Sequence, residues 1–198
     1  MSKKFMYGIG AVKFKGKKLG YIEKNSWNNQ PQKPEVAEVN AEQIPGAPVL
    51  VIPQSNGSFR PTFNLIQLDY ENMAAAQGGD VAYDADKKTA IGWEAPDQVI
   101  ELSGPWAIEL VSGQTILIAN GTLLSALGGQ LTLTETAKIE CELRMAQPTD
   151  GSKKPYAVYD SDKIPPQWRK RCLIDEITEG DVEMVDALSD QPEEGGHA

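Results

Sequence analysis

Residues 137–145 alternate strictly between apolar and charged side chains, and this alternation constrains the fold more than any other feature of the sequence. Successive side chains of a β-strand point to opposite faces of the sheet, so the pattern predicts a half-buried antiparallel strand with a charged outer face. We expect the apolar face to contribute core and the charged face to meet solvent. The apolar face comprises Ala137, Ile139, Cys141, Leu143 and Met145, and the charged face comprises Lys138, Glu140, Glu142 and Arg144.

Shorter apolar runs separated by turn signals recur along the rest of the chain. Asn-Gly pairs at 56–57 and 120–121 lie between such runs, and this dipeptide is the strongest short signal for a tight hairpin turn. The sequence therefore predicts two hairpins and a series of further short strands. The hairpins would join 49–52 with 58–66 and 114–119 with 122–127, and the other predicted strands are 5–14, 18–23, 81–83, 90–93, 98–102, 105–111 and 131–134.

One α-helix is predicted, at about residues 69–77. Asp69 is a suitable N-cap, and the pair Gly78-Gly79 supplies a stop signal. Together with the strands, this predicts a mainly β fold, an antiparallel β-sandwich or barrel with one short flanking α-helix. Pro and basic residues become frequent after 148, so we expect a β domain at 1–148 and a C-terminal extension with an acidic tail at 149–198.

A long segment at 25–48 shows neither helical nor strand periodicity and contains four prolines. Loops of this length are uncommon in compact domains unless they bind something. We therefore expect this interaction loop to lie against another subunit, with simple mobility as the alternative. The candidate interface residues in it are Pro31, Pro34, Val36, Val39, Ile44 and Pro45.

The net charge of −9 lies entirely in the C-terminal tail. Residues 173–198 contain nine acidic residues and neither Lys nor Arg, whereas residues 1–24 contain seven lysines and one acidic residue. This separation predicts subunits that meet by charge complementarity, and a merely solvated terminus is the alternative. Residues 173–190 are expected to dock on a partner through apolar side chains. The candidates are Lys13, Lys15, Leu173, Ile177 and Leu188.

Catalytic motifs are missing from the sequence. The one histidine is His197, so a Ser-His-Asp or Cys-His site has no histidine within the body of the chain. Cys141 and Cys172 are far apart in sequence and belong to no metal-binding pattern; Cys141 is predicted to be core and Cys172 to be exposed. We expect no enzyme activity, no cofactor and no metal site. A body without net charge also argues against sequence-specific nucleic-acid binding.

The order of several segments resembles the major tail tube proteins of tailed phages, over roughly residues 5–150. The similar segments are GAPVL at 46–50, PQSNG at 53–57, PTFNLIQL at 61–68, GWEAP at 92–96 and KIECEL at 138–143. The resemblance implies a β-sandwich-like barrel with one flanking helix. It also implies six-membered rings that stack into a tube, and a 25–48 loop that reaches a neighbouring subunit or ring.

The same resemblance implies a virion tail protein made in the host bacterial cytoplasm. Its partners would be further copies of itself and other tail and connector proteins, with DNA passing through the lumen without sequence-specific binding. We expect no membrane partner, because the sequence lacks a spanning apolar run and a secretory signal.

Two other classes of protein remain open. One is a different virion ring component, such as a tail terminator, connector, baseplate or capsid decoration protein. The other is a ligand-binding β-sandwich that stacks its ligand on tryptophan side chains. The tryptophans available for that role are Trp27, Trp93, Trp106 and Trp168, although tryptophan in such strands is more often part of the core.

Overall fold

The computed structural model describes residues 5–86, 88–98 and 100–174. The fold is mainly β with antiparallel sheets, as the sequence predicted. The strands are β1 (Ile9–Phe14), β2 (Lys17–Lys18), β3 (Asn28–Gln32), β4 (Val36–Val39), β5 (Leu50–Pro53), β6 (Ser58–Leu65), β7 (Asp80–Tyr83), β8 (Ala90–Glu94), β9 (Leu102–Leu110), β10 (Gln114–Gly129), β11 (Ala137–Met145) and β12 (Tyr156–Asp160). The helices are α1 (Tyr70–Gln77) and α2 (Pro166–Arg171), with a 3₁₀ turn at Ser161–Lys163.

The main sheet has the strand order β2-β1-β9-β10-β11-β6-β3, and β12 also pairs with β10. The chain beyond β2 then returns to β6, where Ile22 bridges Leu65 and the Glu23 amide donates to the Asn64 carbonyl at 2.9 Å. This contact joins the two sides of the sheet, so the strands enclose a barrel. Closure covers this part of the β6 edge, which would otherwise be open to pairing with other chains.

Strand β10 is continuous over 16 residues, so the predicted hairpin turn at Asn120-Gly121 is wrong. The pairing register with β9 shifts between Ile118 and Gly121, and β10 exchanges β12 for β11 as its second neighbour there. The Trp106 indole N–H donates to the Gly121 carbonyl at 3.0 Å. A Cβ at this glycine would lie 2.8 Å from Leu143 Cδ1, so the glycine permits close packing at a bend.

The barrel interior is the main hydrophobic core, and the apolar face of β11 contributes to it as predicted: Ile139, Cys141 and Leu143 are buried. On the charged face Glu140 and Arg144 are exposed, whereas Lys138 and Glu142 are half-buried. The core is completed by aromatic and aliphatic side chains from the other barrel strands. These are Val12, Phe14, Leu19, Phe63, Leu65, Trp106, Ile108, Ile116, Ile118 and Leu123, with Ala76 from α1.

Helix α1 begins and ends where the sequence predicted. The Asp69 side chain accepts a hydrogen bond from the Asn72 amide at 2.8 Å, which satisfies a backbone donor in the first turn. At the other end Gly78 has φ 75° and its amide bonds the Ala74 carbonyl at 2.8 Å. The helix contributes Ala76 to the core and thereby stays attached to the barrel.

Further predictions about the strands are wrong. Of the predicted strand 18–23 only Lys18 lies in a strand, and of 98–102 only Leu102 does among the described residues. Residues 131–134 form a loop in which Leu131 and Leu133 are fully open to solvent, because β10 continues to Gly129 and pairs directly with β11. Strand β5 pairs with β4, and β6 pairs with β3, so the predicted hairpin of 49–52 with 58–66 does not form. The expected loop at 25–48 contains β3 and β4.

The described part of the C-terminal extension packs on the outer face of the barrel. Side chains of Ala107 and Leu117 meet Ile164, Trp168 and Cys172 in a second hydrophobic cluster. Cys172 is buried, so its predicted exposure is wrong: α2 presses it against the sheet, where its thiol faces the Ile118 carbonyl. The boundary at 148 between domain and extension stays a prediction.

We expect Gly121→Ala to lower the free energy of unfolding by about 1–3 kcal/mol, because the added methyl overpacks the bend of β10. Gly46→Ala is the matched control, since a Cβ at Gly46 meets nothing within 4 Å. Urea unfolding monitored by tryptophan fluorescence measures both. Equal stability of the two variants would contradict the close packing at the bend.

Candidate assembly interface

Strands β3 to β6 form one long two-stranded ribbon. The register pairs Asn28 with Thr62 at its base and Val39 with Leu50 near its tip. Between the two paired stretches, residues 33–35 on one strand face residues 54–57 on the other, so the second strand carries one extra residue. An extra residue on one strand is a β-bulge, which bends and twists the ribbon locally.

The bulge explains why the Asn56-Gly57 signal misled the prediction. The Glu35 amide donates to Ser55 Oγ at 2.9 Å, and its carbonyl accepts from the Gln54 amide at 2.8 Å. These bonds hold residues 54–57 against the opposite strand, where Pro34 lacks an N–H to donate. The Asn-Gly pair therefore lies at a bend within the ribbon. The chain reverses its direction at 40–49 instead.

The distal half of the ribbon, β4 with β5, projects from the barrel as an arm. Directly paired residues share a face, so the register sorts the side chains of the arm into two sets. One face is wholly apolar, and the other contains Glu38. The apolar face, called the apolar arm face below, consists of Ala37, Val39, Leu50 and Ile52; the mixed face consists of Val36, Glu38, Val51 and Pro53.

The apolar arm face is open to solvent in the single chain. Val39, Leu50 and Ile52 are 48%, 52% and 45% exposed. A two-stranded hairpin without further packing is at best marginally stable in water. Contiguous exposed apolar patches mark interaction sites, and covering an aliphatic side chain contributes about 1.5–3 kcal/mol when burial is complete. The apolar arm face is therefore a candidate docking surface.

Most predicted interface residues of the 25–48 segment belong to this ribbon. Pro31 pairs with Phe59 at its base, and Pro34 lies at the exposed bend. Val36 and Val39 lie on opposite faces of the arm, while Ile44 and Pro45 form part of its exposed tip.

Leu50 and Ile52 are not among the predicted interface residues, because the sequence predicts that 49–52 pairs with 58–66. The sequence signal that could have identified these two residues is a pair of largely apolar runs, 36–39 and 49–52, separated by a proline-containing segment in which the chain reverses.

The other predicted interface residues are scattered. Lys13 is half-buried and pairs with Glu109 at 3.1 Å within its own chain, whereas Lys15 is exposed in the β1–β2 turn. Leu173 is half-buried beside that turn. Ile177 and Leu188 lie outside the described residues.

The carboxylates with shifted pKa values are structural partners. The Asn64 side-chain amide and the Lys138 ammonium hydrogen-bond the Glu23 carboxylate and lower its pKa. The Ser152 amide lowers the pKa of Asp150, with a further contribution from Arg171. A lowered pKa keeps a carboxylate ionised, which is unsuited to a general acid.

Metal ligands do not converge within residues 5–86, 88–98 and 100–174, where no group of three or more His, Cys, Asp or Glu side chains could hold an ion.

The four tryptophans are engaged within the protein. Trp106 and Trp168 are buried in the two hydrophobic clusters. Trp27 stacks on Phe63 with ring centroids 5.0 Å apart, and the Trp93 indole N–H donates to the Gly78 carbonyl at 2.8 Å. These positions fit core packing better than a platform for stacking a ligand.

Comparison with protein-family models found no match, and comparison with curated proteins found none. Neither helix in the described part of the chain is long and apolar enough to cross a membrane.

Both thiols are expected to be unreactive in the folded protein. Burial raises the pKa of Cys141 and of Cys172 to about 12, so little thiolate forms near neutral pH. Iodoacetamide labelling followed by mass spectrometry should modify neither thiol in the native protein and both in denaturant. Rapid native labelling of Cys172 would contradict its burial against the sheet at the end of α2.

Truncation of the apolar arm face should leave the barrel stable. We expect Ile52→Ala to change the free energy of unfolding of the dispersed chain by less than about 0.5 kcal/mol, because Ile52 is half exposed. Ile118→Ala, at a fully buried isoleucine, should cost about 2–5 kcal/mol. Chemical denaturation at low protein concentration compares the two. A large loss for Ile52→Ala would mean that the arm packs on its own chain.

Proposed function

We propose that this chain is a structural virion protein, the self-assembling ring subunit of a phage tail tube. The observation that carries the proposal is the apolar arm face, which projects from a closed barrel and is solvent-exposed in the single chain. None of the described core residues belongs to β4 or β5, so the arm adds little to the stability of one subunit. Its burial requires a partner.

A second copy of the chain is the partner that fits best. The resemblance of residues 5–150 to tail tube proteins supports rings of six copies, in which the arm reaches a neighbouring subunit or the next ring. Residues 1–172 contain as many acidic as basic side chains. A body without net charge favours close stacking of identical subunits, because repulsion between copies is small.

The rings would stack into a conduit through which DNA leaves the virion. DNA would pass without sequence-specific binding, and the tube would be bounded by other tail and connector proteins. The role is structural, so the proposal includes neither catalysis nor a cofactor. The carboxylates of Glu23 and Asp150 and the side chains of Trp27 and Trp93 contact other groups of the same chain, which supports a structural role.

Electron microscopy of the purified protein tests the proposal. We expect tubes or six-fold rings for the native chain. Ile52→Lys should abolish them, since it puts a charge into the apolar arm face. Val51→Lys is the matched control: it lies one position away on the mixed face, opposite Glu38, and should still assemble.

Circular dichroism should show both variants folded. Monomers at every concentration would contradict the proposed function, and irregular small rings would favour another virion ring component. Equal assembly of the two variants would contradict the role of the apolar arm face.

A further inference from the structure

Two Asn-Gly pairs, at 56–57 and 120–121, lie in different surroundings in this fold. Asn-Gly is the dipeptide most prone to spontaneous deamidation, because glycine has no side chain to shield its backbone nitrogen or to restrict its backbone. The reaction requires that nitrogen to reach the side-chain amide carbon of the preceding asparagine. Its rate in a folded protein therefore depends on how firmly the structure holds the two residues.

Asn56 and Gly57 are both exposed and lie between β5 and β6, outside the paired strands. The bulge is held one residue earlier, where Ser55 Oγ accepts the Glu35 amide, and pairing resumes only at Ser58. Across the described residues, no hydrogen bond holds the Asn56 side chain or the Gly57 amide. The attacking nitrogen and the amide carbon are therefore both accessible, and no hydrogen bond has to break before they meet.

The second pair is held on all sides. The Asn120 side-chain amide donates to the Gln147 carbonyl at 2.9 Å. Gly121 is buried within β10 and pairs with Gly104 on one side and with Met145 on the other. Ring closure between Asn120 and Gly121 would have to break these contacts, so it requires the bend of β10 to open first.

We propose that Asn56 is a site of spontaneous deamidation in the folded protein, and that the fold protects Asn120 from the same reaction. The Gly57 backbone nitrogen attacks the side-chain carbonyl carbon of Asn56, a C–N bond forms, and ammonia leaves. Water then opens the cyclic succinimide at either of its carbonyl carbons and gives aspartate or isoaspartate. Water is the only co-reactant, and nothing is oxidised or reduced. The chemistry is independent of the proposed function.

The modification changes the ribbon at the point where the arm begins. In isoaspartate the chain continues through the side chain, so one more carbon atom enters the backbone beside the bulge. The paired stretches on either side, β4 with β5 and β3 with β6, keep their registers through their own hydrogen bonds. The added atom is therefore accommodated at the bulge, where it strains the contact between Glu35 and Ser55.

Peptide mapping of the full chain by mass spectrometry, after incubation at mildly alkaline pH and low protein concentration, tests the site. Replacement of the amide by a carboxyl group changes the peptide mass, and electron-transfer fragmentation distinguishes isoaspartate from aspartate. In the native protein we expect Asn56 to be converted many-fold faster than Asn120. In denaturant the fold no longer holds either pair, so both should be converted at similar rates.

Hydrogen exchange of the Glu35 amide, followed by nuclear magnetic resonance, tests the effect on the bulge. This amide donates to Ser55 Oγ and should exchange several-fold faster in the isoaspartate form than in the fresh protein. Asn56→Asp is the matched control, because it adds the negative charge and keeps the ordinary backbone, so exchange should stay close to that of the fresh protein. The amide of Leu117, which is buried in β10, should be unchanged in all three samples.

Conversion of Asn120 as fast as Asn56 in the native protein would overturn the proposal. So would a fold that slows conversion of Asn56, relative to the denatured chain, as strongly as it slows conversion of Asn120. Unchanged exchange of the Glu35 amide in the isoaspartate form would overturn the effect on the bulge. Every readout is obtained from single chains at low concentration, so a failure to form tubes would not affect it.

Discussion

The bend of β10 is the constraint on which the rest of the structure depends. One strand of 16 residues pairs with β9 between Thr115 and Leu123, while its other edge is shared between β12 and β11. The exchange of partners occurs at Asn120-Gly121, where Trp106 reaches the Gly121 carbonyl and the Asn120 side chain donates to the Gln147 carbonyl. Because β10 bends there, its first half can support α2 while its second half pairs with β11.

Closure of the barrel accounts for the separation between a stable body and an exposed arm. The large buried side chains lie inside the barrel or between its outer face and α2, and none of the described core residues belongs to β4 or β5. The arm therefore contributes little to the stability of the single chain.

Sequence patterns correctly predicted those elements whose conformation depends mainly on residues close in sequence. Strict alternation fixed the faces of residues 137–145, and Asp69 with Gly78 fixed the ends of α1, because strand periodicity and helix capping depend on neighbours in sequence. Both Asn-Gly predictions failed for the same reason. Each pair lies at a bend that long-range pairing imposes, and the preference for a tight turn did not decide the conformation.

The candidate interface was predicted only in part. Proline content and length singled out residues 25–48, and Val39 proved to lie on the apolar arm face. Its neighbours Leu50 and Ile52 became visible only through the register between β4 and β5, which joins residues more than ten positions apart. Burial of Cys172 likewise depends on the docking of α2 against Leu117, a contact without a periodic signature in the sequence.

The central claim is that the apolar arm face is buried by a second copy of this chain. A cryo-electron microscopy map of the assembled protein, at a resolution that shows side chains, tests it most directly. The account predicts that Val39, Leu50 and Ile52 lie in contact with a neighbouring subunit. A map of a regular assembly in which these three side chains face solvent would contradict it.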